Sequence, residues 1–262
     1  MRLALLSTAA VLSASAAFAQ EPLRVCADPN NLPFSDSSGA GFENKIATMV
    51  ADELRRPLVF VWRAQRRGFL REGVNAGECD LVTGVPTGLP VIRTTRPYYR
   101  STYVFVSRPG DPRVSSLDDP LLKRVRVGVQ LIGDDGMNSP PAHALAKRGV
   151  IDNVRGFPVY GDYREPGPGG AIIRAVADGR IDVAAVWGPT AGYFSKEMSP
   201  PLMVTPFDVA FDSGLAFAFD ISMGVRKTDA ELGDAVQDAL DKLAPRIAAT
   251  LTDYGVPLIE RN

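Results

Sequence analysis

LRVCADPNNLPF, at residues 23–34, and AGECDLVTGVPT, at residues 76–87, share one pattern. Each stretch contains an apolar run of the kind that forms a buried strand, and each then breaks into Gly, Pro or Asn. In an open parallel sheet, the loops beyond the carboxyl ends of the strands line the ligand crevice. The two stretches therefore predict an α/β fold with a binding crevice at the loop edge.

Outward from these stretches, the pattern predicts two α/β lobes with a central cleft and two hinge crossings. In the first lobe, helices are predicted at 41–54 and 68–75, with a strand at 58–62 between them. A second series of strands and helices begins after the loop at 108–112, with strands at 124–130, 156–160 and 181–187. A strand at 215–225 and an amphipathic helix at 229–251, which Pro245 should kink or divide, rejoin the first lobe. The predicted domains are 20–107 with 210–262 (lobe 1) and 108–209 (lobe 2).

The amino terminus has the features of a secretory signal peptide over residues 1–19. Arg2 supplies the positive charge, an apolar core follows, and Ala17-Phe-Ala19 is a cleavage site. We expect a cleaved, periplasmic protein without a membrane span in its mature form. The net charge of −1 gives no reason to expect nucleic acid as a partner, and we expect a monomer.

The chain has two cysteines, Cys26 and Cys79, and both lie after the predicted cleavage site. An even pair in an exported chain indicates a disulfide, and neither residue belongs to a C-x-x-C unit of a metal or redox site. If the two strands are neighbours, the bridge closes a loop of about 50 residues and stabilises the fold by about 4 kcal/mol.

Loops beyond the carboxyl ends of the strands line the ligand crevice, and we call this the crevice rule. By this rule, the residues that follow the predicted strands are the candidates for ligand or partner binding: Asp28, Asn30, Phe34, Trp62, Arg63, Pro86, Thr87, Gln130, Ile132, Trp187 and Pro189. Tyr98 is a further candidate, with a structural place near the hinge as the alternative. The two tryptophans stand out, because large aromatic rings at strand ends either stack on a ligand or pack the lobes. Arginines cluster near 63–71 and 93–100. These clusters form either a solvated face or a positive rim of the cleft.

The inventory of catalytic residues is poor. His143 is the one histidine, it lies in a predicted helix start, and no nucleophile elbow or zinc motif accompanies it. We therefore expect neither an enzyme nor a resident metal or cofactor.

Over its mature length the chain resembles type II periplasmic binding proteins. Amino-acid receptors of that fold carry Gly-x-Thr-x-Thr-x-x-Arg after the third strand, and the arginine grips the substrate carboxylate. Here the stretch is GVPTGLPV at 84–91, so Pro86 replaces the first threonine and Val91 replaces the arginine. The second lobe of such receptors offers an Asp for the ligand amine where this chain has Val186-Trp-Gly-Pro189. The resemblance therefore disfavours an amino-acid receptor.

A narrower resemblance is to the MoxJ/XoxJ group, which is associated with quinoprotein methanol dehydrogenases. It is carried by RVCADPNNLPFS at 24–35, QRRGFLR at 65–71, CDLVTGVP at 79–86 and RPYYRS at 96–101. The resemblance implies an accessory protein that assists maturation or activation of the large subunit of a dehydrogenase dependent on pyrroloquinoline quinone (PQQ).

Three functions remain open at this stage. An accessory protein that receives part of a partner predicts a wide, aromatic cleft without a charge clamp. A receptor of an ABC transporter for a small polar solute predicts a closed cleft with convergent polar groups. An enzyme of the cyclohexadienyl dehydratase type would need acid/base carboxylates and a carboxylate-binding arginine.

Overall fold

The computed structural model describes residues 20–132, 137–212 and 214–260. The predicted signal peptide lies outside the described residues. The helices are α1 (Phe42–Glu53), α2 (Phe69–Glu72), α3 (Pro140–Lys147), α4 (Ala171–Ala177), α5 (Gly188–Glu197) and α6 (Ala230–Asp253). The strands are β1 (Leu23–Ala27), β2 (Asn30–Asn31), β3 (Ser35–Asp36), β4 (Leu58–Trp62), β5 (Leu81–Pro86), β6 (Arg93–Thr94), β7 (Tyr99–Ser107), β8 (Val127–Ile132), β9 (Met137–Asn138), β10 (Val154–Pro158), β11 (Val183–Trp187), β12 (Met203–Pro206), β13 (Phe211–Asp212), β14 (Leu215–Ala216) and β15 (Ala218–Val225).

One mixed sheet runs through the molecule in the order β10-β8-β11-β7-β15-β5-β1-β4. Strands β4, β1 and β5 are parallel and form the first half of the sheet together with β15. Strands β10, β8 and β11 are parallel and form the second half, together with β12 and the end of β7. The predicted α/β fold of the type II periplasmic binding proteins is confirmed.

Strand β7 belongs to both halves. Its residues up to Thr102 pair with β15, and from Tyr103 onward it pairs with β11 and β12. The two antiparallel strands β7 and β15 therefore join the halves. The partition into lobes at 107/108 and 209/210 stays a prediction.

Apolar residues at helical spacing explain the packing of each half. The buried face of α1 includes Phe42, Ile46 and Val50, which pack in one cluster with the inner face of α6. The second half buries two separate clusters, one that includes residues of α3 and one that includes residues of α4 and α5. The two halves thus have their own hydrophobic cores, as separate lobes would need.

Two helices differ from their predictions. Helix α2 covers 69–72 rather than 68–75, because the chain leaves the helical conformation at Gly73. A side chain has no room at this position, since a Cβ atom would lie 2.6 Å from Cys26 Sγ. Pro245 does not divide α6, which runs continuously over its 24 residues. Pro245 lies on the exposed face, so its missing N–H affects the solvent side of the helix.

The disulfide between Cys26 and Cys79 is confirmed, with the two Cα atoms 5.5 Å apart. Strands β1 and β5 are neighbours and parallel, which brings the two cysteines together. The bridge lies in a small buried cluster with Val74, Val82 and Ile92, away from the cavity described next.

Candidate functional site

A cavity of about 280 Å³ lies where the two halves of the sheet meet. This volume is near the lower limit of small-molecule pockets, so it suits one side chain or one small ligand. The volume is smaller than that which the wide cleft expected of an accessory protein that receives part of a partner would enclose.

Aromatic rings form much of the wall, contributed by Phe34, Tyr99, Tyr103, Tyr160, Trp187 and Phe219. The ring centroids of Tyr103 and Trp187 are 5.4 Å apart, and those of Trp187 and Phe219 are 5.7 Å apart. Both contacts are edge-to-face, which is a favourable arrangement for aromatic pairs. Trp187 and Phe219 also pack against the cores of both halves, so this wall joins the halves as well as lining the cavity.

The polar part of the wall consists of Asn31, Gln65, Gln130, Thr190 and the acidic Glu43. The Gln130 side-chain oxygen accepts a hydrogen bond from the Trp187 backbone N–H at 2.9 Å. The Asn31 amide donates to the Gln65 side-chain oxygen at 3.0 Å. These bonds engage the side-chain oxygens of both glutamines, and the NH₂ group of each glutamine is a hydrogen-bond donor.

Glu43 is the acidic residue in the first turn of α1. Thr83 Oγ1 donates a hydrogen bond of 2.7 Å to Glu43 Oε2. Burial raises the pKa of the Glu43 carboxyl to about 7, against the smaller, lowering effect of this hydrogen bond. The carboxyl therefore titrates near neutral pH.

Tyr98 and Tyr99 support this corner of the cavity. The Tyr98 hydroxyl donates to the Thr83 carbonyl oxygen at 2.9 Å, and Tyr99 itself lines the cavity. Burial first, and then the neighbouring Glu43 charge, hold the pKa of Tyr99 well above its ordinary value. The hydroxyl groups next to Glu43 are therefore neutral at physiological pH.

A set of contacts joins the two halves, and we name it the latch: Asp28, Asn30 and Arg66 from the first half against residues 163–167 from the second. The Tyr163 hydroxyl donates to Asp28 Oδ2, and the Arg66 guanidinium lies 4.9 Å from the centre of the Tyr163 ring. The Asn30 amide donates to the Tyr163 and Glu165 carbonyl oxygens, and its oxygen accepts from the Gly167 N–H. The latch holds the two halves together on one side of the cavity.

The structure brings together five of the residues predicted from the sequence, namely Phe34, Pro86, Gln130, Ile132 and Trp187, around the cavity. Asp28 and Asn30 belong to the latch instead. Tyr98 stands behind the wall and positions Thr83, while Pro189 is buried in the first turn of α5.

Trp62, Arg63 and Thr87 lie away from the cavity lining. Trp62 is 39% exposed and stacks on Phe60, with ring centroids 5.0 Å apart. Arg63 pairs with Glu72 at 3.1 Å, and Thr87 Oγ1 lies 2.6 Å from Ser222 Oγ. Trp62 and Arg63 lie at the end of β4, the outermost strand of its half of the sheet, and Gln65, two residues after Arg63, lines the cavity in their place.

Sequence reasoning missed Glu43, Gln65, Tyr99, Tyr103, Tyr160, Tyr163 and Phe219. Glu43, Tyr99, Tyr103 and Phe219 lie inside helices or strands, where the crevice rule has no reason to select them. Gln65 and Tyr160 do follow strands, but the sequence does not distinguish them from their neighbours. A signal existed for Glu43, which begins a helix directly after the predicted ligand loop.

Within residues 20–132, 137–212 and 214–260, no His, Cys, Asp or Glu side chains group in a way that could hold a metal ion. In the same part of the chain, none of the helices combines the length and the apolar character needed to cross a membrane.

The model of one protein family, bacterial extracellular solute-binding proteins, family 3, matches residues 23–250. Protein MoxJ of Methylorubrum extorquens AM1 is 33% identical over 246 residues, which is 90% of this chain and 81% of that protein. Protein MoxJ of Paracoccus denitrificans is also 33% identical, and the match covers 96% of this chain and 94% of that protein. The crystal structure of the periplasmic binding protein XoxJ from Methylobacterium extorquens AM1 superposes with a TM-score of 0.75 at 35% identity, over 91% of this chain and all of that one.

Proposed function

The chain belongs to the bacterial extracellular solute-binding proteins of family 3, and within them to the MoxJ/XoxJ group, and we propose that it is a non-catalytic accessory protein of a quinoprotein dehydrogenase. In this proposal it binds part of the large subunit of a PQQ-dependent methanol or alcohol dehydrogenase in its cleft and assists maturation or activation. The observation that carries the proposal is the similarity to two MoxJ proteins over nearly the whole chain.

The chemistry of the cavity supports a role other than amino-acid uptake. Among the described lining residues there is no Arg, Lys or His that could grip a carboxylate. Val91, in the position of the receptors' arginine, is 52% exposed and lies outside the lining. The same lack of a cation disfavours the dehydratase hypothesis.

The placement of the protein in the cell is part of the proposal. Residues 1–19 would direct export and be removed, and the mature monomer would act in the periplasm, where the disulfide can persist. Residues 20–107 with 210–262 would form one lobe and residues 108–209 the other, with the cavity between them.

A pull-down from periplasm with tagged mature protein, followed by mass spectrometry, tests the proposal. We expect the large subunit of a quinoprotein dehydrogenase to be recovered. Trp187→Ala should reduce the recovery, because Trp187 lines the cavity, whereas Trp62→Ala is the matched control at the exposed edge of the sheet. Equal recovery with both variants would contradict docking in the cleft, and recovery of no dehydrogenase would contradict the accessory role.

A solute receptor of an ABC transporter is the second candidate, and the small size of the cavity behind the latch favours it. This function predicts that a small polar solute raises the melting temperature of the protein in a thermal-shift screen, with no dehydrogenase recovered in the pull-down.

A further inference from the structure

Glu43 is an acidic group in the cavity wall. Among the described residues it forms no ion pair, and no Arg, Lys or His lines the cavity around it. Its neighbour on the helix, Lys45, is directed elsewhere, with its ammonium 4.8 Å from the centre of the Tyr254 ring.

The two oxygens of the carboxylate have different surroundings. Oε2 accepts the Thr83 hydrogen bond, whereas Oε1 lies against Gly84, where a Cβ atom would be only 2.0 Å away. A glycine at position 84 therefore gives the carboxylate its room, and Oε1 remains an acceptor beside the cavity.

Aromatic rings share the cavity with this oxygen. Phe34, Tyr99, Tyr103 and Trp187 all line it, and the negative face of such a ring attracts cations. A carboxylate together with aromatic rings, and without any basic side chain, is complementary to a positively charged group on an apolar stem.

We propose that the cavity receives one cationic group, an ammonium or guanidinium, which pairs with Glu43 Oε1 and lies among the aromatic rings. The proposal rests on the proposed function in that the cation would be a Lys or Arg side chain of the partner protein. A free alkyl amine is the other source of the same chemistry.

The titration of Glu43 gives this site a pH dependence. Among the described residues, Tyr98 and Tyr99 are the tyrosines whose pKa the Glu43 charge raises, and burial, the larger cause, keeps the pKa of both well above the ordinary value, so both stay neutral. With its own pKa raised to about 7, Glu43 gains its charge as the pH rises through neutrality. The affinity for a cation should therefore increase from about pH 6 to about pH 8.

Calorimetry on the mature protein with three probes tests the proposal. N-acetyl-lysine methylamide carries the cation on a peptide unit, N-acetyl-norleucine methylamide is its neutral counterpart, and n-butylammonium is the free amine. We expect a lysine or amine probe to bind about tenfold or more tightly than norleucine, and Glu43→Gln to abolish this difference and its pH dependence. Asp52→Asn removes an exposed carboxylate from the same helix and should leave binding unchanged.

Binding of the lysine probe identifies a side chain as the source, and binding of butylammonium alone identifies a free amine. Equal binding of the lysine and norleucine probes, or no binding of either cation, overturns the proposal. A pull-down with Glu43→Gln separates it from the proposed function. Undiminished recovery of a dehydrogenase refutes the cation site alone, whereas cation binding without any dehydrogenase recovered refutes the accessory role alone.

Discussion

Replacing Glu43 by Gln should stabilise the protein at alkaline pH and leave its stability at acidic pH nearly unchanged. In the folded protein burial raises the pKa of this carboxyl from 4.5 to about 7. Between these values the unfolded chain is ionised while the folded chain holds the proton, so stability falls as the pH rises through this window. Glutamine keeps the shape and can still accept the Thr83 hydrogen bond, and it does not titrate.

The size of the effect follows from the change in pKa. A move from 4.5 to about 7 corresponds to about 3 kcal/mol at full burial, and nearer to 2 kcal/mol because the carboxyl borders the cavity. Chemical unfolding of wild type and Glu43→Gln at about pH 4 and about pH 8 measures this. We expect the variant to be about 2 kcal/mol more stable than wild type at the higher pH and about equal to it at the lower pH.

The comparison isolates Glu43, because every other titratable group is the same in both proteins. Asp52→Asn provides the control for removing a negative charge from α1. The difference in the free energy of unfolding between this variant and wild type should be the same at both pH values. If the difference between Glu43→Gln and wild type is the same at both pH values, the carboxyl titrates normally and the reasoning from its burial is refuted.

Three further predictions concern other parts of the molecule. Cys26→Ser removes the disulfide and should lower the free energy of unfolding by about 4 kcal/mol relative to oxidised wild type, because the bridge closes a loop with a sequence separation of 53. Equal unfolding of the variant and oxidised wild type by denaturant would contradict this. Tyr163→Phe removes the hydroxyl that donates to Asp28 and should weaken the latch by about 1.5 to 3 kcal/mol. Small-angle scattering should then show a larger radius of gyration, and an identical scattering curve would mean that the latch does not hold the halves together. Gly84→Ala should leave the protein folded while its Cβ displaces the flexible Glu43 carboxylate, so the pH dependence of stability attributed to Glu43 should shrink; a pH profile equal to that of wild type would contradict this placement.

The strand-end residues show how far local patterns reach into the site. The crevice rule selects the ends of β5, β8 and β11, and Pro86, Gln130 and Trp187 at these ends line the cavity. The same rule applied to β4 selects Trp62, which is exposed at the edge of the sheet. After β4 it is Gln65 that lines the cavity, and no local pattern tells which of these neighbouring side chains will do so.

The sequence by itself determines the alternation of strands and helices and the disulfide. Periodicity is a local property, and a chain with two cysteines allows a single intramolecular pairing. Only the tertiary structure decides that Glu43 loses its solvent, that Asp28 and Asn30 form a latch with residues 163–167, and that Trp187 and Phe219 meet. These features depend on burial and on contacts between residues more than 30 positions apart in the chain, such as Asn30 with Glu165 and Glu43 with Thr83. Solvation and proximity of this kind arise when the two halves of the sheet come together, and the order of residues along the chain does not reveal them.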